Sequence, residues 1–219
     1  MERSKHTTPT TIKKILYPIW ALLLRLVAVE KPFTGRLAGV VIDAPRGVFN
    51  PRGTVTTLLT AYSAAKCLEC PRRMAEPGAG SGAASILYAK TCDPEMVVMT
   101  DIDPGAVEAA KRNAEANGEA HRVTIVQCNW LDCIRSGAVE AAMLNPPYLP
   151  CPPSLAPQLC CGYTCIELLE AIKSCLEKTG RLVYTVSSLT PINPIGRQCS
   201  TVKIWLEKIT TYTLEPHNH

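Results

Sequence analysis

The stretch Glu76-Pro77-Gly78-Ala79-Gly80-Ser81-Gly82 lies where a predicted strand ends and a predicted helix begins. Glycines at such a turn allow the backbone to approach a ligand closely. The spacing is Gly-x-Gly-x-Gly, not the Gly-x-Gly-x-x-Gly of dinucleotide sites, and the Gly-Lys-Ser/Thr of a phosphate-binding loop is missing. Glu76, directly before the glycines, would repel a pyrophosphate but would suit the ammonium group of an amino acid. The turn therefore favours S-adenosylmethionine over a dinucleotide.

Strands and helices alternate on both sides of this turn. The residue pattern predicts strands over 39–43, 72–76, 95–100, 123–128, 139–144 and 182–186, and helices over 54–66, 83–90, 104–117 and from 166 to a closing glycine at 180. Alternation at this spacing indicates an α/β fold with a mostly parallel sheet and helices on both faces. We expect the region after Pro191 to add a last pair of strands at one edge of the sheet.

A carboxylate stands at the end of the next predicted strand. Asp101 follows Gly78 by 23 residues. At this place in an α/β sheet a carboxylate can accept hydrogen bonds from both hydroxyls of a ribose. Asp103, two residues further on, is interpreted as the N-cap of the following helix, because aspartate is a favoured residue there. We therefore expect Asp101 to bind ribose.

The most specific motif is Asn145-Pro146-Pro147-Tyr148, at the end of the predicted strand over 139–144. Ligands of α/β sheets bind outside the carboxyl ends of the strands, so this motif, Asp101 and the glycine-rich turn should share one crevice. Two consecutive prolines restrict the backbone. The Asn145 side chain and the Pro146 carbonyl can then be held as two acceptors for the two protons of an NH₂ group.

Together, Glu76–Gly82, Asp101 and Asn145–Tyr148 resemble the class I methyltransferases that carry an Asn-Pro-Pro-Tyr motif. That group includes the HemK-like glutamine methyltransferases of translation release factors, and enzymes that methylate adenine N6 or cytosine N4. The resemblance covers residues 48–190. Val48–Arg52 is similar to the Pro-Arg segment that precedes the catalytic domain of the glutamine enzymes, and Val186–Thr190 to the end of the fifth strand in their archaeal and eukaryotic branch.

The resemblance implies a Rossmann-like fold with a seven-stranded sheet, S-adenosylmethionine as cofactor and no metal. Glu76 stands where the family often has Asp, and Asn129 where an Asp usually contacts the adenine amino group, a bond that Asn can still accept. The implied catalytic residues are Asn145, Pro146 and Tyr148. The implied cofactor-binding residues are Glu76, Gly78, Ala79, Gly80, Gly82, Asp101, Ile102, Asn129, Trp130 and Asn145.

Three functions stay open at this point. We expect methylation of a protein glutamine, most readily in a release factor, because of the Pro-Arg segment and the small size of the chain. Methylation of adenine N6 or another exocyclic amino group in RNA or DNA is the alternative, although the basic residues are scattered. A cofactor-binding protein without methyl transfer is the third. The resemblance also implies a cytoplasmic location and raises a small zinc-binding activator subunit as a partner.

Residues 1–47 are expected to form an N-terminal extension of a helix and a short strand, before a methyltransferase domain over 48–219. The apolar run from Ile15 to Val29 contains Pro18 and Arg25 and is shorter than the roughly 18–20 clean residues of a spanning helix. We therefore expect an amphipathic helix packed on the domain rather than a membrane anchor. Its apolar positions recur at helical spacing: Ile12, Ile15, Leu16, Ile19, Leu22, Leu23 and Leu26.

The composition is that of one globular domain. The 219 residues are 47% hydrophobic and 19% charged, and the net charge of +4 neither requires nor excludes a nucleic-acid partner. The 11 cysteines are an odd number, so they cannot all pair within the chain. Cys67 and Cys70 form one Cys-x-x-Cys, but no second pair at zinc-site spacing is evident. We expect most cysteines to be small buried side chains, with a few structural disulfides as the alternative.

Overall fold

A mixed sheet, a separate two-stranded hairpin, an N-terminal helix and four further α-helices build the part of the chain that a computed structural model describes, namely residues 18–19, 21–52, 54–161, 165–190, 192–204 and 207–215. The helices are α1 (Thr56–Cys67), α2 (Ala83–Cys92), α3 (Pro104–Ala116) and α4 (Ile166–Thr179). The strands are β1 (Phe33–Leu37), β2 (Val40–Ala44), β3 (Arg73–Pro77), β4 (Met96–Asp101), β5 (Val123–Gln127), β6 (Ala141–Leu144), β7 (Leu182–Ser187), β8 (Arg197–Ile204) and β9 (Glu207–Leu214).

The main sheet has seven strands in the order β5-β4-β3-β6-β7-β9-β8. The strands from β5 to β7 are parallel, and β9 pairs antiparallel with both β7 and β8. The chain runs outward from β3 to β5 and then returns to place β6 on the other side of β3. Ligands of open α/β sheets bind at such a switch point, beyond the carboxyl ends of the strands. The topology therefore places a crevice above the ends of β3 and β6.

Both faces of the parallel strands are buried, which explains why these strands are continuous apolar runs rather than alternating ones. Met74 on β3 faces the core formed with α1, α2 and α3, whereas its neighbour Ala75 faces the core formed with α4. Side chains alternate in this way because successive residues of a strand point to opposite faces. The predicted α/β fold with helices on both faces is confirmed.

The structure adds a strand to the predicted set. β1 and β2 form an antiparallel hairpin that is a separate two-stranded sheet, whereas the sequence predicted only the second strand. The side chains of Asn113 on α3 and of Asn117, which caps its C-terminal end, hold this hairpin, because they bond the backbone of Asp43 and Val41 at 2.8–2.9 Å. The predicted pair of strands after Pro191 is confirmed as β8 and β9, at one edge of the sheet.

The N-terminal helix packs on a different face from the one predicted. Residues 21–25 are helical and continue into a π-helix over Leu26–Glu30. Ala21, Ala28 and Val29 are buried, whereas the expected packing residues Ile19, Leu22, Leu23 and Leu26 are 45–53% exposed. The prediction was wrong for these four, because small residues fit closely against the domain. Ile12, Ile15 and Leu16 lie outside the described residues. No helix in the described ranges is long and apolar enough to cross a membrane.

Ten of the 11 cysteines are paired, so disulfides, which the sequence left as the alternative, predominate, although Cys151, Cys160, Cys161 and Cys165 are also buried as expected. The disulfides are Cys67–Cys199, Cys70–Cys92, Cys128–Cys133, Cys151–Cys160 and Cys161–Cys165, while Cys175 is a free buried thiol. The two cysteines of the Cys-x-x-Cys therefore bond to different partners. Such disulfide content occurs in oxidising compartments and in intracellular proteins of hyperthermophiles. No cluster suited to a metal ion occurs among the described residues.

Candidate active site

A cavity of about 520 Å³ lies at the switch point of the sheet, beyond the carboxyl ends of β3, β4 and β6. It brings together the three segments that the sequence singled out. All of the predicted site residues line it except Gly82. The predicted residues that line the cavity are Glu76, Gly78, Ala79, Gly80, Asp101, Ile102, Asn129, Trp130, Asn145, Pro146 and Tyr148.

The glycine-rich turn requires glycine for both conformation and space. Gly78 and Gly82 have φ angles of +65° and +74°, in the left-handed region that disfavours other residues. A Cβ atom on Gly82 would lie 3.0 Å from Met99 Sδ and 3.1 Å from Ala110 Cβ, so Gly82 allows α2 to start close to β4 and α3. Gly82 therefore acts by allowing close packing under the turn and does not line the cavity, whereas Gly78 does line it.

Glu76, at the end of β3, is 3% exposed. Its Oε2 accepts a hydrogen bond of 2.9 Å from the backbone N–H of Ser85 on α2. Burial raises the pKa of Glu76 to about 7, an effect that the Asp101 carboxylate reinforces and the hydrogen bond from Ser85 opposes. A buried carboxyl group with this pKa can ionise at neutral pH, and a cation beside it would favour the ionised form. Glu76 thus fits the ammonium group of an amino-acid moiety.

Asp101 connects two of the site segments. Its Oδ2 accepts from the backbone N–H of Gly80 at 2.8 Å, and its Oδ1 accepts from the N–H of Asp103 at 3.0 Å. Burial raises the pKa of Asp101 above its ordinary value, although these backbone bonds oppose the shift. Each carboxylate oxygen has a second lone pair, so Asp101 can still accept from ribose hydroxyls. Asp103 caps α3 by accepting from Gly105 N–H at 2.8 Å, as predicted.

The loop after β5 forms another wall of the cavity. Asn129 is exposed, and its Nδ2 donates to Asp132 Oδ2 at 3.1 Å. Trp130 has a φ angle of +44°, and its backbone carbonyl accepts a short hydrogen bond from the Thr100 hydroxyl. A Cβ atom on Gly78 would lie 3.6 Å from the Trp130 ring, so the ring stands close to the glycine-rich turn. The Cys128–Cys133 disulfide closes this loop at its base.

The Asn-Pro-Pro-Tyr segment follows β6 directly. The Oδ1 atom of Asn145 is buried and has no hydrogen-bond partner in the described part of the chain. A buried acceptor without a donor is unfavourable by about 1–3 kcal/mol, which a ligand N–H can relieve. The Tyr148 carbonyl accepts from the Thr190 hydroxyl at 3.0 Å, and burial strongly raises the pKa of the Tyr148 phenol. The ring therefore serves as a neutral packing surface.

Several residues of the cavity had no signal in the sequence. Leu24 comes from the N-terminal helix, Phe49 precedes α1, and Gln158 and Leu159 lie in the loop after the Asn-Pro-Pro-Tyr segment. None of them belongs to a recognisable motif, and the fold alone brings them together. Glu170 on α4, also unanticipated, adds a carboxylate to the lining.

The fold and this site together define a class I S-adenosylmethionine-dependent methyltransferase. The glycine turn, the buried Glu76 and the unsatisfied Asn145 fit the methionine part of that cofactor and an N–H donor beside it. The chain belongs to the Methyltransferase small domain family, which matches residues 54–205. The predicted class of enzyme and its methyl donor are thereby confirmed.

Relatives and solved structures agree with this class. The chain is 39% identical over 77 residues to a release factor glutamine methyltransferase of Moorella thermoacetica, covering 35% of this chain and 27% of the relative. It is 34% identical over 95 residues to one of Agrobacterium fabrum, covering 43% and 32%. The chain thus spans about a third or less of these relatives' length. The human methyltransferase 10 domain containing protein has the same fold, with a TM-score of 0.62 at 13% identity, covering 94% of this chain and 97% of that one.

Proposed function

We propose that this enzyme transfers a methyl group from S-adenosylmethionine to the side-chain amide nitrogen of a protein glutamine in a translation release factor. The main support for the proposal is the Oδ1 atom of Asn145, which has no hydrogen-bond donor among the described residues. It therefore offers a buried acceptor to an NH₂ group in the cavity. The partial similarity to release factor glutamine methyltransferases supports the choice of acceptor.

Positioning is the main contribution that the protein can make to this reaction. An amide nitrogen is a poor nucleophile, because its lone pair is delocalised into the carbonyl group. S-adenosylmethionine supplies a methyl group on a positively charged sulfur. Asn145 Oδ1 and the Pro146 carbonyl accept from the two N–H groups, which aims the nitrogen and stabilises the positive charge that develops there. The N–C bond forms as the S–C bond breaks, and the extra proton leaves the nitrogen to water.

The charge of the cavity favours a protein acceptor over a nucleic acid. Apart from the Tyr148 phenol, the ionisable side chains that line it in the described ranges are carboxylic acids, and no Lys, Arg or His is among them. Nucleic-acid binding depends on basic groups that neutralise phosphates, and carboxylates repel phosphates instead. A cationic cofactor and a neutral amide are both compatible with this lining. The acidic lining residues are Glu76, Asp101, Asp103 and Glu170.

A transfer assay with methyl-labelled S-adenosylmethionine tests the proposal. A release factor and total RNA are offered side by side as acceptors. We expect label in the release factor, and we expect it to disappear when the acceptor glutamine is replaced by alanine. Label in RNA alone would overturn the assignment and favour methylation of an exocyclic amino group.

The remaining elements of the proposal concern the context of the enzyme. Residues 1–47 form an extension of a methyltransferase domain over 48–219, and the enzyme works in the cytoplasm, where release factors act. A small zinc-binding subunit assists it by adding a strand to β5, an edge of the sheet among the described strands. Coexpression with such a subunit followed by size-exclusion chromatography tests the pairing, and separate elution would reject it.

A further inference from the structure

Part of the cavity lining consists of aliphatic and aromatic residues from outside the cofactor-binding segments, although Phe49 also lies beside Gly80 of the glycine-rich turn. We call this set the acceptor wall. Leu24 and Phe49 lie before the residues that match the family, and the others follow the Asn-Pro-Pro-Tyr segment. The acceptor wall consists of Leu24, Phe49, Leu149, Pro157 and Leu159.

The acceptor wall is continuous with the proposed acceptor-binding motif. Leu149 and Leu159 belong to a buried apolar cluster, and Leu24, Phe49 and Tyr148 pack against that same cluster. Tyr148 also contacts the core that the sheet forms with α4. The wall therefore adjoins Tyr148, the residue that ends the motif.

Polar contacts fix the N-terminal helix against the loop over 149–161. The Arg25 guanidinium donates to the Leu155 carbonyl at 2.6 Å, and Gln158 Nε2 donates to the Gly47 carbonyl at 3.1 Å. Glu30 bonds Arg25 at 2.8 Å and so holds the guanidinium in place. The Cys151–Cys160 disulfide closes the loop. The bonds from Arg25 to Leu155 and from Gln158 to Gly47 join segments more than a hundred residues apart, so specific contacts hold the loop beside the N-terminal part of the chain.

We infer that the N-terminal helix, through Leu24, determines which acceptor this enzyme takes. The inference rests on the proposed function. A glutamine side chain consists of two methylene groups and a terminal amide. With the amide on Asn145, we place the methylene groups against Leu24 and Leu159, which belong to the same apolar cluster as Tyr148 and line the same cavity. Burial there would be favourable by about 25 cal/mol per Å². An acceptor with polar edges at this place would lose hydrogen bonds to water and gain none.

The chain offers a matched control in the next residue. Leu23 lies on the same helix but is 51% exposed and does not line the cavity. Leu24 is partly buried and does line it. Substituting either residue removes the same atoms from the same helix, so a difference between the two variants reports on the cavity and on the apolar cluster that Leu24 contacts.

The experiment compares Leu24→Ala, Leu24→Met and Leu23→Ala, using both the KM of the acceptor and the Kd of S-adenosylmethionine. We expect Leu24→Ala to raise the acceptor KM about 5- to 20-fold. The cofactor Kd should stay within about twofold, because Leu24 is not among the cofactor-binding residues. Leu24→Met restores an apolar side chain of similar volume and should bring the KM back to within about threefold of wild type. Leu23→Ala should leave both constants unchanged.

An unchanged acceptor KM in Leu24→Ala would overturn the inference, as would a parallel rise of the cofactor Kd or an equal effect of Leu23→Ala. The acceptor is whichever of release factor and RNA the wild type methylates. If RNA is that acceptor, the proposed function fails and the inference fails with it, because a base presents polar edges to the wall. If the release factor is methylated and Leu24→Ala leaves its KM unchanged, the inference alone fails. A melting curve of each variant identifies any loss of folding.

Discussion

The two ends of the cavity are built in opposite ways. At the cofactor end, the Asp101 carboxylate and one oxygen of Glu76 already accept hydrogen bonds from backbone N–H groups. At the acceptor end, the buried Oδ1 of Asn145 lacks a donor in the described residues. At the cofactor end the protein itself supplies hydrogen-bond donors to the carboxylates. At the acceptor end the Asn145 oxygen obtains a donor only when a ligand binds.

This difference predicts what substitutions at each end will change. Residues at the cofactor end both bind ligand and organise the backbone, so their loss should affect affinity and stability together. Asn145 has an oxygen that no described protein group uses, so its loss should affect mainly the rate. The following predictions test this separation.

The largest effect should come from Asn145→Ala. We expect kcat to fall on the order of 10²–10³-fold, since one preorganised polar group at a reacting centre has about that effect. The change in cofactor Kd should be smaller than the change in rate. Single-turnover methyl transfer and calorimetric titration of the cofactor measure the two quantities. An unchanged rate would remove Asn145 from the mechanism.

Asp101→Ala should change the cofactor Kd more than it changes the rate of methyl transfer. Losing a carboxylate that accepts from ribose hydroxyls and from Gly80 N–H should weaken cofactor binding by about 10- to 100-fold, because hydrogen bonds to charged groups contribute about 1.5–3 kcal/mol. Titration with S-adenosylhomocysteine measures this change. Asp103→Asn is the matched control, since Asp103 caps α3 and Asn is an equally good cap. Equal losses in both variants would contradict the ribose assignment.

The pH dependence should also separate the two ends. Glu76 has a pKa of about 7 in the folded protein and an ordinary value of 4.5. Between these values the folded state binds more protons than the unfolded state, so this group's contribution to stability is present below pH 4.5 and is lost as pH rises through about 7. A bound cation favours the ionised form. Cofactor affinity should therefore rise with pH, by about tenfold between pH 6 and pH 8.

Glu76→Gln should abolish most of this pH dependence, both in cofactor titrations and in melting curves of the free protein. Glu108→Gln, on the exposed side of α3, is the control. A cofactor affinity that is flat between pH 6 and pH 8 in the wild type would show that the glutamate does not face the cation.

The smallest effect should come from Cys133→Ser. The Cys128–Cys133 disulfide orders the loop that carries Asn129 and Trp130. Without it, binding must order this loop, which should weaken cofactor affinity about threefold. The acceptor KM should not change. Cys70→Ser breaks the Cys70–Cys92 disulfide, and neither of these cysteines lines the cavity. This variant should leave the cofactor affinity and the acceptor KM unchanged.

The cofactor end could be predicted from sequence because each part of it is a short contiguous segment at the end of a strand. Glu76–Gly82 and Asp101 are visible as residue types at fixed places relative to apolar runs. The acceptor wall could not be predicted, since Leu24 and Leu159 are 135 residues apart and leucine occurs throughout the core. Pairings such as Cys67–Cys199 were hidden for the same reason.

Two errors in the fold have different physical origins. The strand β1 was missed although the sequence contains a hairpin signal. That signal is Ala38-Gly39, a two-residue turn in which both residues have positive φ, as in hairpins. The N-terminal helix was assigned the wrong packed face, because large apolar residues at helical spacing normally mark the core side. Here Ala21 and Ala28 are the ones that fit against the domain.

The Cys67–Cys199 disulfide joins the end of α1 to β8 and encloses 132 residues of chain separation. Asp101, Asn145 and the loop over 149–161 all lie inside this covalent ring. A protease that cuts the exposed part of that loop, between Cys151 and Cys160, would therefore release no fragment, because the Cys67–Cys199 and Cys151–Cys160 disulfides both still join the two pieces. The cut protein would still migrate as one species on a non-reducing gel, and the two halves of the active site would separate only after reduction.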